Sequence, residues 1–133
     1  MGFQQFNTDS LYQLMVQLEK CDIRQLVDEV AGSIAFSVAY GKLEGTGYQL
    51  DLVTPELWIK FGQTQKEHDI TLIHELLHVK FRNKLFREAG PQYDKTYEDT
   101  IEYYSQRFYR VDPEIADYII SKAEKIIPDI DEE

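Results

Sequence analysis

Residues 71–81 read TLIHELLHVKF, and within them His74, Glu75 and His78 hold the spacing H-E-x-x-H. At about 100° per residue, His74 and His78 lie about 40° apart around a helix and one turn apart along it, so both imidazoles reach a common point beside it. Imidazole nitrogen suits zinc, which in catalytic sites takes three protein ligands and keeps a fourth position open. Glu75 sits about 60° round from His78. That is too far round for a natural ligand, but it lets the carboxylate lean over a water at the metal as a general base. The expectation is therefore His74 and His78 as ligands of Zn2+ and Glu75 as the catalytic residue. The competing reading is a pair of core histidines satisfied by carboxylate or backbone partners. With three His and thirteen Glu in 133 residues, the pattern would arise by chance in fewer than roughly one such chain in a hundred. An apolar helix would also bury all three polar groups at high cost unless they shared a partner.

A third ligand has to come from elsewhere in the chain. Asp94, Glu98, Asp99 and Glu102 all fall on the next helical segment, which a short turn at Gly90–Pro91 folds back antiparallel to the first. Tyr97, Ile101, Tyr104 and Phe108 mark that segment's apolar stripe. Asp99 points away from the stripe; Glu98 lies about 75° from its centre and Glu102 about 115°. Asp94 is closer, but it stands at the expected N-cap, where its carboxylate has a local partner. Glu98 is the first choice and Glu102 the second.

The elements that must position these residues are readable from periodicity. Thr8 or Asp9 can cap a helix carrying Leu11, Leu14, Met15 and Leu18, and after a break near Cys21–Asp22 a second helical face follows in Leu26, Val27 and Val30, ended by Gly32. From Ser33 the period becomes two. Ile34, Phe36, Val38 and Tyr40 alternate with Ser33, Ala35, Ser37 and Ala39, giving one bulky and one small face. GKLEGTG reads as a turn, Tyr48, Leu50 and Leu52 as a second strand, and Leu57, Ile59 and Phe61 as a third before Gly62. These strands suggest an α+β protein with a small, mostly antiparallel sheet. From about Lys66 apolar residues surround the helix on nearly every side, which predicts a central, buried helix rather than a surface one. Helices from about Asp94 to Arg110 and from Asp112–Pro113 onward complete the pattern.

Length and composition fit one domain over 1–133, with N-terminal helices in 1–31, the sheet in 33–61, helices carrying the metal site in 66–126 and an acidic tail in 127–133. The net charge of −10 opposes a phosphate backbone, so nucleic acid is excluded as an expected partner. No apolar run approaches the ~20 residues that cross a bilayer. The start MGFQQFNTDS lacks the basic-then-apolar order of a secretory leader, and the single Cys21 can form no internal disulfide. The expected setting is cytoplasmic, without membrane attachment.

TLIHELLHVKF followed by YEDTIEYYSQRF resembles the gluzincin branch of zinc metallopeptidases, in particular the compact phage-type and ImmA/IrrE-like peptidases. In that pattern H-E-x-x-H is followed by a downstream Glu in E-x-x-φ-x-x-φ-[small], matched here by Glu98, Ile101, Tyr104 and Ser105. The resemblance covers about residues 57–108. It implies a zincin-like fold with the sheet packed on the H-E-x-x-H helix, His74, His78 and Glu98 as zinc ligands, and Glu75 as the base. The activity implied is hydrolysis of a peptide bond in a peptide or protein substrate by zinc-activated water. A substrate strand is expected along an edge strand at Leu57–Phe61. Tyr93, Tyr97 and Tyr103 are the candidates for stabilising the oxyanion, each against a packing role. Two alternatives stand beside this one: a non-catalytic zincin-like module that binds a protein partner, and an acidic interaction domain without metal.

Overall fold

The computed structural model describes residues 12–42, 45, 47–50, 54–81 and 91–127. Expectations about Thr8, Asp9, Leu11, Leu52, Gly90, most of the GKLEGTG turn and the tail after Ile127 lie outside these residues, as do the side chains of Tyr93 and Asp94.

Residues 12–19 are helical and bury Leu14 and Leu18. The break expected at Cys21–Asp22 is present: the Asp22 carboxylate accepts from the backbone N–H groups of Arg24 and Gln25 and so caps α1 (Ile23–Ser33). Ile23, Leu26, Val27 and Val30 form its buried face. The helix runs through Gly32 and ends one residue later. Then come β1 (Ser37–Gly41), β2 (Gly47–Leu50) and β3 (Glu56–Lys60). Next are α2 (Gln65–Lys80), α3 (Pro91–Val111), α4 (Ile115–Lys122) and a two-residue strand β4 (Ile126–Ile127).

The mixed α+β composition agrees with the sequence reading; the direction of the sheet does not. The strand order is β2-β3-β1-β4. β1 is parallel to both of its neighbours, β3 and β4, and only the β2–β3 pair is antiparallel. The expected mostly antiparallel sheet is thus a mixed, mainly parallel one. A period of two reports which faces a strand buries and carries no information on the direction of its partner. Burial agrees with the parallel arrangement: Ser37 and Ala39 on the small face of β1 are as inaccessible as Phe36 and Val38 on the bulky one, as strands covered on both faces must be.

A second correction follows from the order. Leu57–Phe61 was expected to form the edge that receives a substrate strand, but β3 pairs with β1 on one side and β2 on the other, and Phe61 lies beyond its end. β2 is the outer strand.

The helix expected from about Lys66 begins one residue sooner, at a capping box: the Thr64 hydroxyl accepts from the N–H of Glu67 and the Glu67 carboxylate accepts from the N–H of Thr64. Leu72, Ile73, Leu76 and Leu77 of α2 are wholly buried, each worth about 1.5–3 kcal/mol relative to exposure. α2 packs on β2 and β3 with one side, on α3 with another and on α4 with a third. It is the central element that its all-round apolar sequence predicts. α3 begins at Pro91, earlier than expected, so Asp94 stands inside the first turn rather than at the cap. α4 begins at Ile115, after an Asp-Pro turn in which Asp112 accepts from Glu114 and Ile115.

Candidate metal centre

Tyr97, Ile101, Tyr104 and Phe108 bury the apolar stripe of α3, which turns Glu98 and Glu102 toward the flank of α2. There the Nε2 atoms of His74 and His78 lie 3.1 Å apart. Oε1 of Glu98 is 3.2 Å from each of them. The three form a nearly equilateral triangle, a group able to hold a metal ion. For Zn–N and Zn–O bonds of ~2.0–2.1 Å, a tetrahedral site separates its ligand atoms by about 3.3 Å, so the triangle fits such an ion without rearrangement.

The remaining ring nitrogens fix what faces inward. Nδ1 of His74 is 2.8 Å from Oε1 of Glu102. An ionised carboxylate only accepts, so Nδ1 carries the proton and Nε2 presents a lone pair. Nδ1 of His78 is 3.2 Å from the Tyr97 hydroxyl, which donates its own proton to the Phe81 carbonyl. The hydroxyl oxygen is therefore an acceptor for Nδ1–H, and Nε2 of His78 is again bare. With both rings neutral and Nδ1 protonated, two lone pairs and a carboxylate oxygen converge, an arrangement relieved by a cation between them, whether a proton on Nε2 or a metal ion.

The protein's own charges act in the same direction. Burial depresses the His74 imidazole, but Glu98, Glu75 and Glu102 together raise it above the ordinary histidine value. Burial favours the neutral acid at Glu98, yet the hydrogen bonds and charges of the two imidazoles hold it down at about 2. The site opens on one side: the His78 side chain is 5% exposed, that of His74 17% and that of Glu98 41%.

Glu75 projects from the same helix toward β2. It is 4% exposed, and among the described residues its Oε1 has no hydrogen-bond partner. Burial pushes its carboxyl up to about 7 against the opposing pull of His74 and His78. The close approach of β2 depends on Gly47. A Cβ there would meet Cγ2 of Thr71 at 2.7 Å, the Trp58 carbonyl at 2.9 Å and Oε2 of Glu75 at 3.2 Å.

Of the sequence candidates, His74, His78 and Glu98 come together, with Glu75 beside them. Glu102 lies one contact further out, holding the His74 ring rather than joining the triangle. Asp99 is exposed and paired with Lys95. Tyr97 is buried under His78 and supports it, while Tyr103 is exposed and stacks edge-on against Tyr104. The supporting roles of Tyr97 and Glu102 and the close approach at Gly47 escaped the sequence reading. Only Glu102 had a signal, its helical spacing of four from Glu98.

The third histidine, His68, is built differently. Nδ1 faces Oδ1 of Asp69 at 2.8 Å, which Gln65 also reaches at 2.7 Å. Nε2 accepts from the Tyr40 hydroxyl at 2.9 Å, with the two rings stacked. Both nitrogens are satisfied within the protein.

No protein-family model matches the chain, and no curated protein or solved structure matches it at a significant level. No helix among the described residues is long and apolar enough to cross a membrane.

Proposed function

We propose that the chain is a zinc-dependent peptidase of the gluzincin type, with His74, His78 and Glu98 as ligands and Glu75 as general base. The observation that carries this reading is the convergence of two imidazole nitrogens and one carboxylate oxygen beside a buried carboxylate whose Oε1 has no hydrogen-bond partner among the described residues. Zinc held there would supply Lewis acidity, lowering the pKa of a water to about 7 and polarising a carbonyl. The chain's residues do the rest. Glu102 and Tyr97 hold the two rings with Nε2 inward. Glu75, its basicity raised by burial, takes a proton from the attacking water and delivers it to the leaving amine.

The outer edge of β2 is unpaired among the described residues, and Gly47 at its start lies against Glu75. A substrate strand adding to β2 by main-chain hydrogen bonds would carry its backbone past the base. This replaces Leu57–Phe61 as the docking edge.

The deciding variant is Glu75→Gln, which keeps the shape and removes the basicity. The expected result is about one zinc per chain, an unchanged melting temperature and no peptide hydrolysis. Hydrolysis at the wild-type rate would overturn the role of Glu75. A zinc-loaded wild type that cleaves nothing in a broad peptide library would favour the non-catalytic, partner-binding module instead.

A further inference from the structure

A groove of about 490 Å³ runs from His74 between α2 and α3 to the loop that follows β3. Its walls differ in character. Phe61, 62% exposed, and Ile70 supply apolar surface, while Glu67 on α2 and Glu102 on α3 supply carboxylates. Among the described residues Lys60 is the one lysine or arginine in this lining, against two carboxylates.

The two carboxylates are not equally available. Both oxygens of Glu102 are engaged, Oε1 by His74 and Oε2 by Gln106. Glu67 uses Oε1 in the capping box, and among the described residues its other oxygen has no partner. Seven residues separate Glu67 from His74, about 10 Å along the helix axis. That is more than a Debye length of ~8 Å at physiological salt, so a positive charge at Glu67 is largely screened from the metal centre. An extended lysine spans only roughly 6 Å from Cα to Nζ, but an extended substrate advances about 3.3 Å per residue, so a lysine one or two residues from the scissile bond, its backbone running along the groove, covers the distance. An aliphatic stem would rest on Phe61 and Ile70 while the charged head reaches the carboxylate.

Resting on the peptidase reading above, we propose that this groove takes a basic side chain of the substrate, lysine or arginine, and that Glu67 is the residue that selects it. The test uses the zinc-loaded full chain and peptides varied around the scissile bond among Lys, Arg, norleucine, Gln and Glu. Wild type is expected to prefer Lys or Arg over norleucine at one position by about tenfold or more, the scale of one charge-assisted hydrogen bond. In Glu67→Gln, which can still close the capping box, that ratio falls toward one. Asp99→Asn removes the same charge from the exposed face of α3 and leaves the ratio as in wild type. No preference in wild type, or the wild-type preference persisting in Glu67→Gln, overturns the assignment. Binding of the same peptides to zinc-loaded Glu75→Gln, read by fluorescence anisotropy, separates this proposal from the catalytic one. If wild type cleaves nothing, tighter binding of Lys than norleucine peptides still supports the groove, and equal binding refutes it.

Discussion

α2 carries all three histidines of the chain, two near its C-terminal end and one near its start, and the two ends treat them in opposite ways. At His68 a hydroxyl fills the Nε2 lone pair and a carboxylate takes the Nδ1 proton. At His74 and His78 the Nδ1 side is held by Glu102 and by Tyr97, and the two Nε2 atoms face each other and the Glu98 carboxylate. Burial does not distinguish them, since His68 and His74 are comparably exposed at 19% and 17%. The distinction lies in what sits opposite Nε2: a hydroxyl at His68, and at His74 and His78 a second imidazole and a carboxylate, which together form a group able to hold a metal ion.

The largest effect expected from this contrast is on metal. His74→Ala and His78→Ala should each abolish stoichiometric zinc, measured by elemental analysis. They should also abolish the zinc-dependent rise in stability, about 4 kcal/mol at a thousandfold excess over Kd. His68→Ala should retain zinc while losing about 1–3 kcal/mol in denaturant unfolding, because Asp69 and Tyr40 lose their partner. Zinc loss in His68→Ala would erase the contrast.

Next in size is the difference between ligand and support at the metal end. Glu98→Gln should bind zinc too weakly to retain it on desalting. Glu102→Gln and Tyr97→Phe should weaken it about 10–100-fold, the usual cost of removing the partner that orients a ligating imidazole. Competition with a chromogenic chelator measures all three. Equal losses for Glu98→Gln and Glu102→Gln would mean that both carboxylates ligate.

Gly47→Ala should cost about 1–3 kcal/mol, since its Cβ meets Thr71 and the Trp58 carbonyl below 3.0 Å. By displacing β2 from Glu75 it should lower kcat while zinc content stays at wild type. A melting curve unchanged from wild type would contradict the close approach of the strand.

The smallest effect is at the structural histidine. Tyr40→Phe removes the donor to Nε2 of His68 and should cost about 1 kcal/mol in stability, with zinc affinity unaltered. A gain of a second zinc in this variant would show that the Tyr40 hydroxyl is all that keeps His68 from acting as a ligand.

Much of this was legible in the chain itself because it depends on local spacing. The i, i+4 placement of His74 and His78 puts both rings on one flank of any helix that forms there. The all-round apolar sequence of α2 requires that helix to be central, and the stripe Tyr97, Ile101, Tyr104, Phe108 leaves Glu98 on its margin. The break near Cys21–Asp22 was legible, and the Asp22 cap and the Thr64…Glu67 capping box were equally local, though both went unread. Whatever depends on which segments meet was decided only in three dimensions. β1 and β2 follow one another in sequence, yet β3 lies between them, because pairing is chosen by the packing of whole faces and the two-residue period is silent on strand direction. The tautomers of His74 and His78 depend on Glu102 and Tyr97, brought across from α3. The close contact at Gly47 needs the edge of the sheet and the flank of α2 in register. Sequence spacing determined which atoms could point together; tertiary packing decided what would stand opposite them.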